Sequence, residues 1–316
     1  MFGRKKKSKK AEAAPAEKAA APVREKQEEL FPRFHAEGLG DVWAALTGRD
    51  PRQIMGMVVG TVLHDGGTRP AWQWKRGGTE YVLMAWPKES PIRASVLMAG
   101  PEGGELKPVT AVPLLEGLPI DLAVAEVHPR AEGLGADVAV SMIEGQKPMW
   151  FFDPLYSRDK DDLTPEITHT FWLSAAAFGI RKALLDEFAI TSGEEFEEHA
   201  KNWLEQNPGK SRLDVPPLKL VVKDKHFIMP GRRYCEYQLR AKIDRIEDYT
   251  LETMPIKALY LVFPFNDRPD MNLVLFVSKA VLKDYEPEVG QEIEAYAWFQ
   301  GRIIDLEPAA PESSGQ

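Results

Sequence analysis

Between Lys210 and Arg245 the chain carries ten basic residues against four acidic ones, with Phe227, Tyr234 and Tyr237 set among them. Basic side chains track a phosphate backbone and aromatic rings stack on bases, so these two residue types in one stretch suit a single-stranded nucleic-acid groove. The set that would have to converge is Lys223, Arg232, Arg233, Tyr234, Arg240 and Lys242. A plainer reading competes with it. Cys235, Tyr237, Leu239, Ala241 and Ile243 alternate with polar residues. That puts Tyr237 on a core face and Arg240 and Lys242 on an ordinary solvated strand face opposite acidic neighbours. The plainer reading is preferred, because basic residues spread over several elements converge only if the fold gathers them.

The densest carboxylate group is Asp153, Asp159, Asp161, Asp162 and Glu166, following Trp150-Phe-Phe-Asp-Pro-Leu-Tyr156. Oxygens at this spacing suit Ca²⁺ or Mg²⁺, but the glycine and distal glutamate of an EF-hand loop are missing, so a solvated acidic loop is expected. Met149 to Phe152 reads as a buried edge or domain contact. The six histidines, His35, His64, His128, His169, His199 and His226, stand singly, and no pair has helix or hairpin ligand spacing. His169, in Thr-His-Thr-Phe-Trp, reads as a structural histidine, and Cys235 as a small core residue rather than a nucleophile. There is no P-loop, no G-x-S-x-G elbow, no H-E-x-x-H and no protein-kinase set. Gly38-Leu-Gly40 and Gly133-Leu-Gly135 lack the third glycine of a dinucleotide fingerprint. No catalytic, cofactor-binding or metal-ligating residue is assigned, and no cofactor is expected. An enzyme would need dispersed residues such as His169 and Asp153.

The elements that must position these residues belong to a chain of 316 residues, long enough for two ordinary domains. Its hydrophobic fraction of 44% and charged fraction of 28% are those of a globular protein with a real core. The single cysteine allows no intrachain disulfide and fits a reducing, cytoplasmic location. The longest apolar run, Ile54 to Leu63, is about half the ~20 residues a membrane helix needs. The net charge of -8 conceals an asymmetry. Arg4, Lys5, Lys6, Lys7, Lys9 and Lys10 leave 34 basic and 48 acidic residues, a net -14, on the rest of the chain. Such a body repels polyanions except through the tail or a local patch.

Residues 1–30, lysine-rich and then Ala/Glu/Pro-rich, are expected to be disordered, as are 307–316. An antiparallel β domain is expected over 31–153. A helical turn or two runs from Gly40 to Leu46 with Asp41 as a cap. Strand-like runs follow at Ile54–Leu63, Ala71–Lys75, Thr79–Trp86, Ile92–Met98, Ile120–Val127, Ala136–Ile143 and Pro148–Phe152. Trp72, Trp74 and Tyr81 flank Gly77-Gly78 as a hairpin. A mixed connector covers 154–210. Ile167–Trp172 reads as a strand running into a helix over Ser174–Phe188, with one long helix capped by Thr164 as the alternative. A second helix opens on the capping box Ser192-Gly-Glu-Glu195 and carries Phe196, Ala200, Trp203 and Leu204 on one face. Ala-Glu-Gly-Leu-Gly occurs at 36–40 and 131–135, but the flanks do not match and no duplication is read from it.

Residues 211–306 alternate best. A long strand from Cys235, runs at Ile256–Phe265 and Leu273–Val277, a break of roughly ten residues, and a strand entered through Val-Gly-Gln-Glu-Ile follow in order. This order resembles a small OB-type barrel, with Ile293, Ala295, Ala297 and Phe299 facing inward. The resemblance implies a module that binds oligonucleotides, oligosaccharides or other proteins. The fold class expected is therefore β-rich α+β, with an N-terminal antiparallel β domain, a short helical connector and a C-terminal OB-like barrel. The function expected is a cytoplasmic binding or scaffold protein with an unknown protein partner. Nucleic acid, held by residues 210–245 and the tail, is the alternative partner, and no membrane span is expected.

Overall fold

The computed structural model describes residues 39–49, 56, 59–64, 70–131, 133–142, 147–184, 187–222, 225–264 and 270–304. The two tails and Lys223 lie outside the described residues. The chain is β-rich, with an N-terminal antiparallel sheet and a large C-terminal mixed sheet.

The N-terminal sheet is the meander β1 (Trp72–Arg76), β2 (Thr79–Trp86), β3 (Ile92–Pro101) and β4 (Lys107–Leu115). Gly77 and Gly78 both have positive φ, 57° and 77°, which a two-residue turn matching the strand twist requires. Trp74 and Tyr81 are cross-strand partners, their rings stacked at 5.3 Å. β4 was absent from the expected strands because Pro108 and Pro113 interrupt it. It is an edge strand, where a missing N–H costs no ladder bond.

The large sheet is built from β5 (Leu118–Pro129), β6 (Ala136–Ser141), β7 (Met149–Asp153), β8 (Thr168–Lys182), β11 (Phe227–Pro230), β12 (Glu236–Leu251), β13 (Met254–Phe263), β14 (Met271–Ser278) and β15 (Glu292–Ile303). Two units of the same order compose it. In the first, β5, β6 and β7 lead through helix α2 (Tyr156–Asp159) to the long β8. In the second, β12, β13 and β14 lead through helix α4 (Lys279–Leu282) to the long β15. Each long strand pairs antiparallel with the first strand of its own unit and parallel with the third strand of the other. β8 and β15 also pair antiparallel with each other. The pairings therefore run in two rings, β5-β6-β7-β15-β8 and β12-β13-β14-β8-β15, sharing a central ribbon. Glu166 and Gly290, both at positive φ, stand just ahead of the two long strands.

The odd-numbered residues of β8 and β15, from Phe171 to Ala177 and from Ile293 to Phe299, face one continuous core. Leu239, Ile243, Ile293 and Phe299 share it, as the alternation predicts. The opposite face of the ribbon meets the N-terminal sheet. Gln300 Nε2 donates to Pro113 O at 2.7 Å, and Leu115 N donates to Gln300 Oε1 at 2.7 Å. Ser174 Oγ donates to Leu115 O at 3.1 Å, so these buried polar groups are satisfied across the two sheets. Helix α1 (Gly40–Thr47) adds Val42, Trp43 and Leu46 to that second core, beside Ala258, Val274 and Phe276 of β13 and β14.

Three expectations are corrected. Where a helix was read over Ser174–Phe188, β8 continues to Lys182, and Glu187 and Phe188 open a separate short strand. Alanine's helix preference yields because both edges of β8 are paired and its small side chains fit where two rings meet. The apolar run at Ile54–Leu63 is helical over its described residues 59–63, with Val59 and Val62 buried. Helix α3 (Glu194–Gln206) forms with Phe196 and Ala200 buried, but Gly193 at φ 102° is its N-cap and no side chain caps it. The capping box stands instead at Ser211 and Asp214. Helix α3 packs beside a two-stranded sheet of β9 (Glu187–Ile190) and β10 (Leu218–Val221), an excursion between the two units.

Candidate functional site

The pairing of β11 with β12 leaves a loop, Gly231 to Cys235, at the outer face of the ribbon. Gly231 is required there: a Cβ would stand 2.7 Å from Glu236 O and 2.9 Å from the Tyr296 ring. Cys235 holds the loop down. It sits at φ 65°, accepts a bond at its carbonyl from Phe299 N at 2.7 Å, and donates its thiol to Asp137 Oδ1 at 3.2 Å. Burial, and then the Asp137 carboxylate, push the thiol well above its usual range, which disfavours the thiolate form.

Three adjoining hollows open along this loop. The largest, about 660 Å³, lies between Phe178, Tyr296, Gln238 and the loop residues Gly231, Arg232 and Arg233. One of about 420 Å³ shares Tyr296 and Gln238 and extends toward Phe227, Met229, Ile180 and Arg181. One of about 250 Å³ shares Phe178, Arg233 and Glu236 and ends at Leu39, Arg130, Asp137, Tyr234 and Trp298. Together they form one groove. At that end Tyr234 packs tilted against Trp150 with ring centroids 4.6 Å apart, and Trp150 tilted against His128 at 4.7 Å.

The groove is amphipathic and its charges are balanced. Arg130, Arg181, Arg232 and Arg233 line it, and so do Asp41, Asp137, Glu236 and Glu294. Arg130 bonds Asp137 at 2.6 Å and lies over the Phe152 ring at 4.3 Å. Arg181 bonds Glu294 at 2.7 Å. Arg233 bonds Asp41 at 3.1 Å, which raises its pKa, yet both are about two-thirds exposed and screened by water and salt. Tyr296 donates its hydroxyl to Glu236, and burial followed by that bond raises its pKa. Arg232 is exposed and has no side-chain ion pair or hydrogen bond among the described residues.

Of the residues the sequence singled out, Arg232, Arg233 and Tyr234 come together here, with Tyr234 58% exposed. Arg240 does not. It is 1% exposed, held by Glu292 at 2.8 Å and Glu294 at 3.4 Å, and so is sequestered from any phosphate. This corrects the solvated strand face expected for it: Glu292 and Glu294 project from β15 on the same side. Lys242 is exposed but pairs in register with Glu292, while the groove end of β12 pairs Glu236 with Trp298. Lys223 lies outside the described residues. Phe178, Met229, Tyr296 and Arg130 were missed. The signal was present for Tyr296 and Trp298: with Ile293 to Phe299 turned inward, two aromatic residues had to face out on alternate positions.

The acidic group is also corrected in part. Asp153 and Asp159 are buried rather than solvated, and Met149–Phe152 is the strand β7 with Phe151 and Phe152 in the core. No cluster of three or more potential metal ligands occurs among the described residues. None of the described helices is long and apolar enough to cross a membrane. No protein-family model and no curated protein matches the chain.

Proposed function

We propose that the protein is a non-enzymatic binding protein that holds an extended segment of a partner protein in the groove between β11, the 231–235 loop and the outer face of β15. The observation that carries this is the lining: exposed or half-exposed Tyr234, Phe178, Tyr296 and Met229 interleaved with four arginines and four carboxylates. Aromatic anchors with paired rim charges suit a protein segment. A nucleic-acid groove would need an excess of positive charge, and here four carboxylates stand against the four arginines of the lining. Each ring resembles an OB-type barrel with its last strand exchanged, and such barrels also serve as docking modules. The single cysteine fits a cytoplasmic setting.

The test uses the full chain as bait in nuclease-treated lysate, beside a variant carrying Met229→Asp and Tyr234→Ala. A partner retained in about 0.5 M salt and lost by the variant is the expected result. Capture that nuclease abolishes would replace the protein partner with nucleic acid. Capture unchanged in the variant would remove the groove from the function.

A further inference from the structure

We infer that the open edge of β11 is a second contact surface, beside the groove and separate from it, to which an acidic, extended segment of a partner protein adds as a further strand. β11 ends the large sheet: β12 pairs with one side of it, and no described strand pairs with the other. The register decides which backbone groups face out. Gly231 N donates to Glu236 O at 2.6 Å, and bonded pairs alternate with unbonded ones in an antiparallel ladder. Met229 therefore bonds Gln238 and Phe227 bonds Arg240, while Ile228 and Pro230 sit at the unbonded positions. The N–H of Ile228 and the carbonyls of Ile228 and Pro230 point away from β12, and no backbone group among the described residues meets them.

A strand added to this edge alternates its side chains between the two faces of the sheet. On the core side a hollow of about 180 Å³ opens beside the edge, between Ile228, Pro230, Leu122, Val140, Met142 and Met149. A cavity of ~150 Å³ accommodates benzene, so one leucine or phenylalanine side chain fits here. On the outer face Phe227 and Met229 offer apolar contact to the neighbouring side chains. Main-chain bonds combined with a pocket for alternate side chains are what an added strand uses. The charges around the edge select the occupant. Lys225 precedes β11, Arg232 follows it, and Lys147 lines the hollow, where no carboxylate does. All three are exposed, with no carboxylate partner among the described residues. A second copy of the chain, paired antiparallel across Ile228, would set its own Arg232 close to Lys225 and be repelled. A segment with an apolar centre and acidic flanks meets complementary charge at both ends. Pro230 withholds an N–H at the end of the edge, which keeps the pairing short and limits indiscriminate association.

The test uses the full chain and a fluorescein-labelled synthetic peptide of about ten residues, acidic at both ends, with threonine alternating with valine and leucine between them. Fluorescence anisotropy is expected to show binding. Lys147→Glu/Lys225→Glu, with an unchanged melting midpoint, should weaken it about tenfold or more. Only alternate amides of an added strand face β11. N-methylation of that set of peptide amides should abolish binding, and methylation of the other set should change it less than about twofold. Tyr234→Ala should also leave it within about twofold, because that ring lies in the groove and not at the edge. No binding at about 1 mM peptide overturns the inference. So does equal sensitivity to methylation of either set, or a charge reversal without effect. Loss of the peptide in Tyr234→Ala would place it in the groove, so that the edge fails while the proposed function stands. Dimers that the peptide dissociates, seen by sedimentation, would make a second copy the occupant and overturn the acidic partner.

Discussion

At the scale of single residues, two buried ionisable groups define what the fold tolerates. Asp153 is fully buried. Its Oδ1 accepts Leu155 N at 2.8 Å, and its Oδ2 has no hydrogen-bond partner among the described residues. Burial, and then the nearby Asp159 carboxylate, push it well above the usual carboxylate range, against the pull of Arg158 and Arg302. A carboxyl whose folded pKa is raised keeps its proton where the unfolded chain has lost it. Its contribution to stability is therefore present below the unfolded value near 4 and declines as pH rises toward the folded pKa. Asp153→Asn keeps the acceptor for Leu155 and removes the ionisation. The variant should match wild type at about pH 4 and gain on it steadily in urea midpoint toward about pH 8. A variant that loses ground as pH rises would mean that Asp153 is ionised in the fold and held by the arginines. Arg240 is the opposite case, a buried cation that two glutamates require. Arg240→Ala strands Glu292 and Glu294 on neighbouring positions, and a loss of about 3 kcal/mol is expected in urea unfolding. A loss under about 1 kcal/mol would mean that water replaces the guanidinium at that edge.

At the scale of elements, what was legible followed from alternation along each strand. Tyr237, Leu239, Ala241 and Ile243 of β12, and Ile293 to Phe299 of β15, lie inside, because one buried face imposes a period of two. Phe299, fully buried and 4.6 Å from the Tyr237 ring, tests that register: Phe299→Ala should cost on the order of 3–5 kcal/mol. A surface-like cost below about 1 kcal/mol would mean that the ring does not share the core. β8 was illegible because its alternation is carried by Ala175, Ala176 and Ala177, whose uniform small size conceals which positions face in. Only pairing on both edges determines it as a strand. The groove was half legible for a similar reason. Arg232, Arg233 and Tyr234 adjoin in sequence, but Phe178 and Tyr296 reach them from β8 and β15 and Arg130 from the turn after β5, and single-sequence pattern carries no record of which elements become neighbours. Arg240 misled for the converse reason. Its position faced outward from the core as the period demands, yet β15 brought two carboxylates over it.

At the scale of the molecule, the exchanged long strands make each unit incomplete without the other. β5, β6, β7 and β8 all precede residue 183, yet their ring returns on itself only through β15, which pairs with β7 at Gln300 and with β8 from Phe171 to Lys182. β15 also supplies Ala297 and Phe299 to the shared core and Gln300 to the seam with the N-terminal sheet. Removing it would leave β8 and β12 with long unpaired edges and open the core that both rings bury, and each such edge is a template for association. A chain ending at Glu286 should therefore fail as a whole: the β5–β8 amides, some 100 residues or more from the cut, should lose protection along with β12–β14, and the protein should aggregate. The intact chain should unfold in urea as one transition across β5–β15. If the truncated chain retained protected amides in β5–β8, or the intact chain unfolded in two steps with the first unit outlasting the second, the first unit would be closing its edge without β15. The strand exchange would then be a contact between two independent units rather than the joint that makes them one.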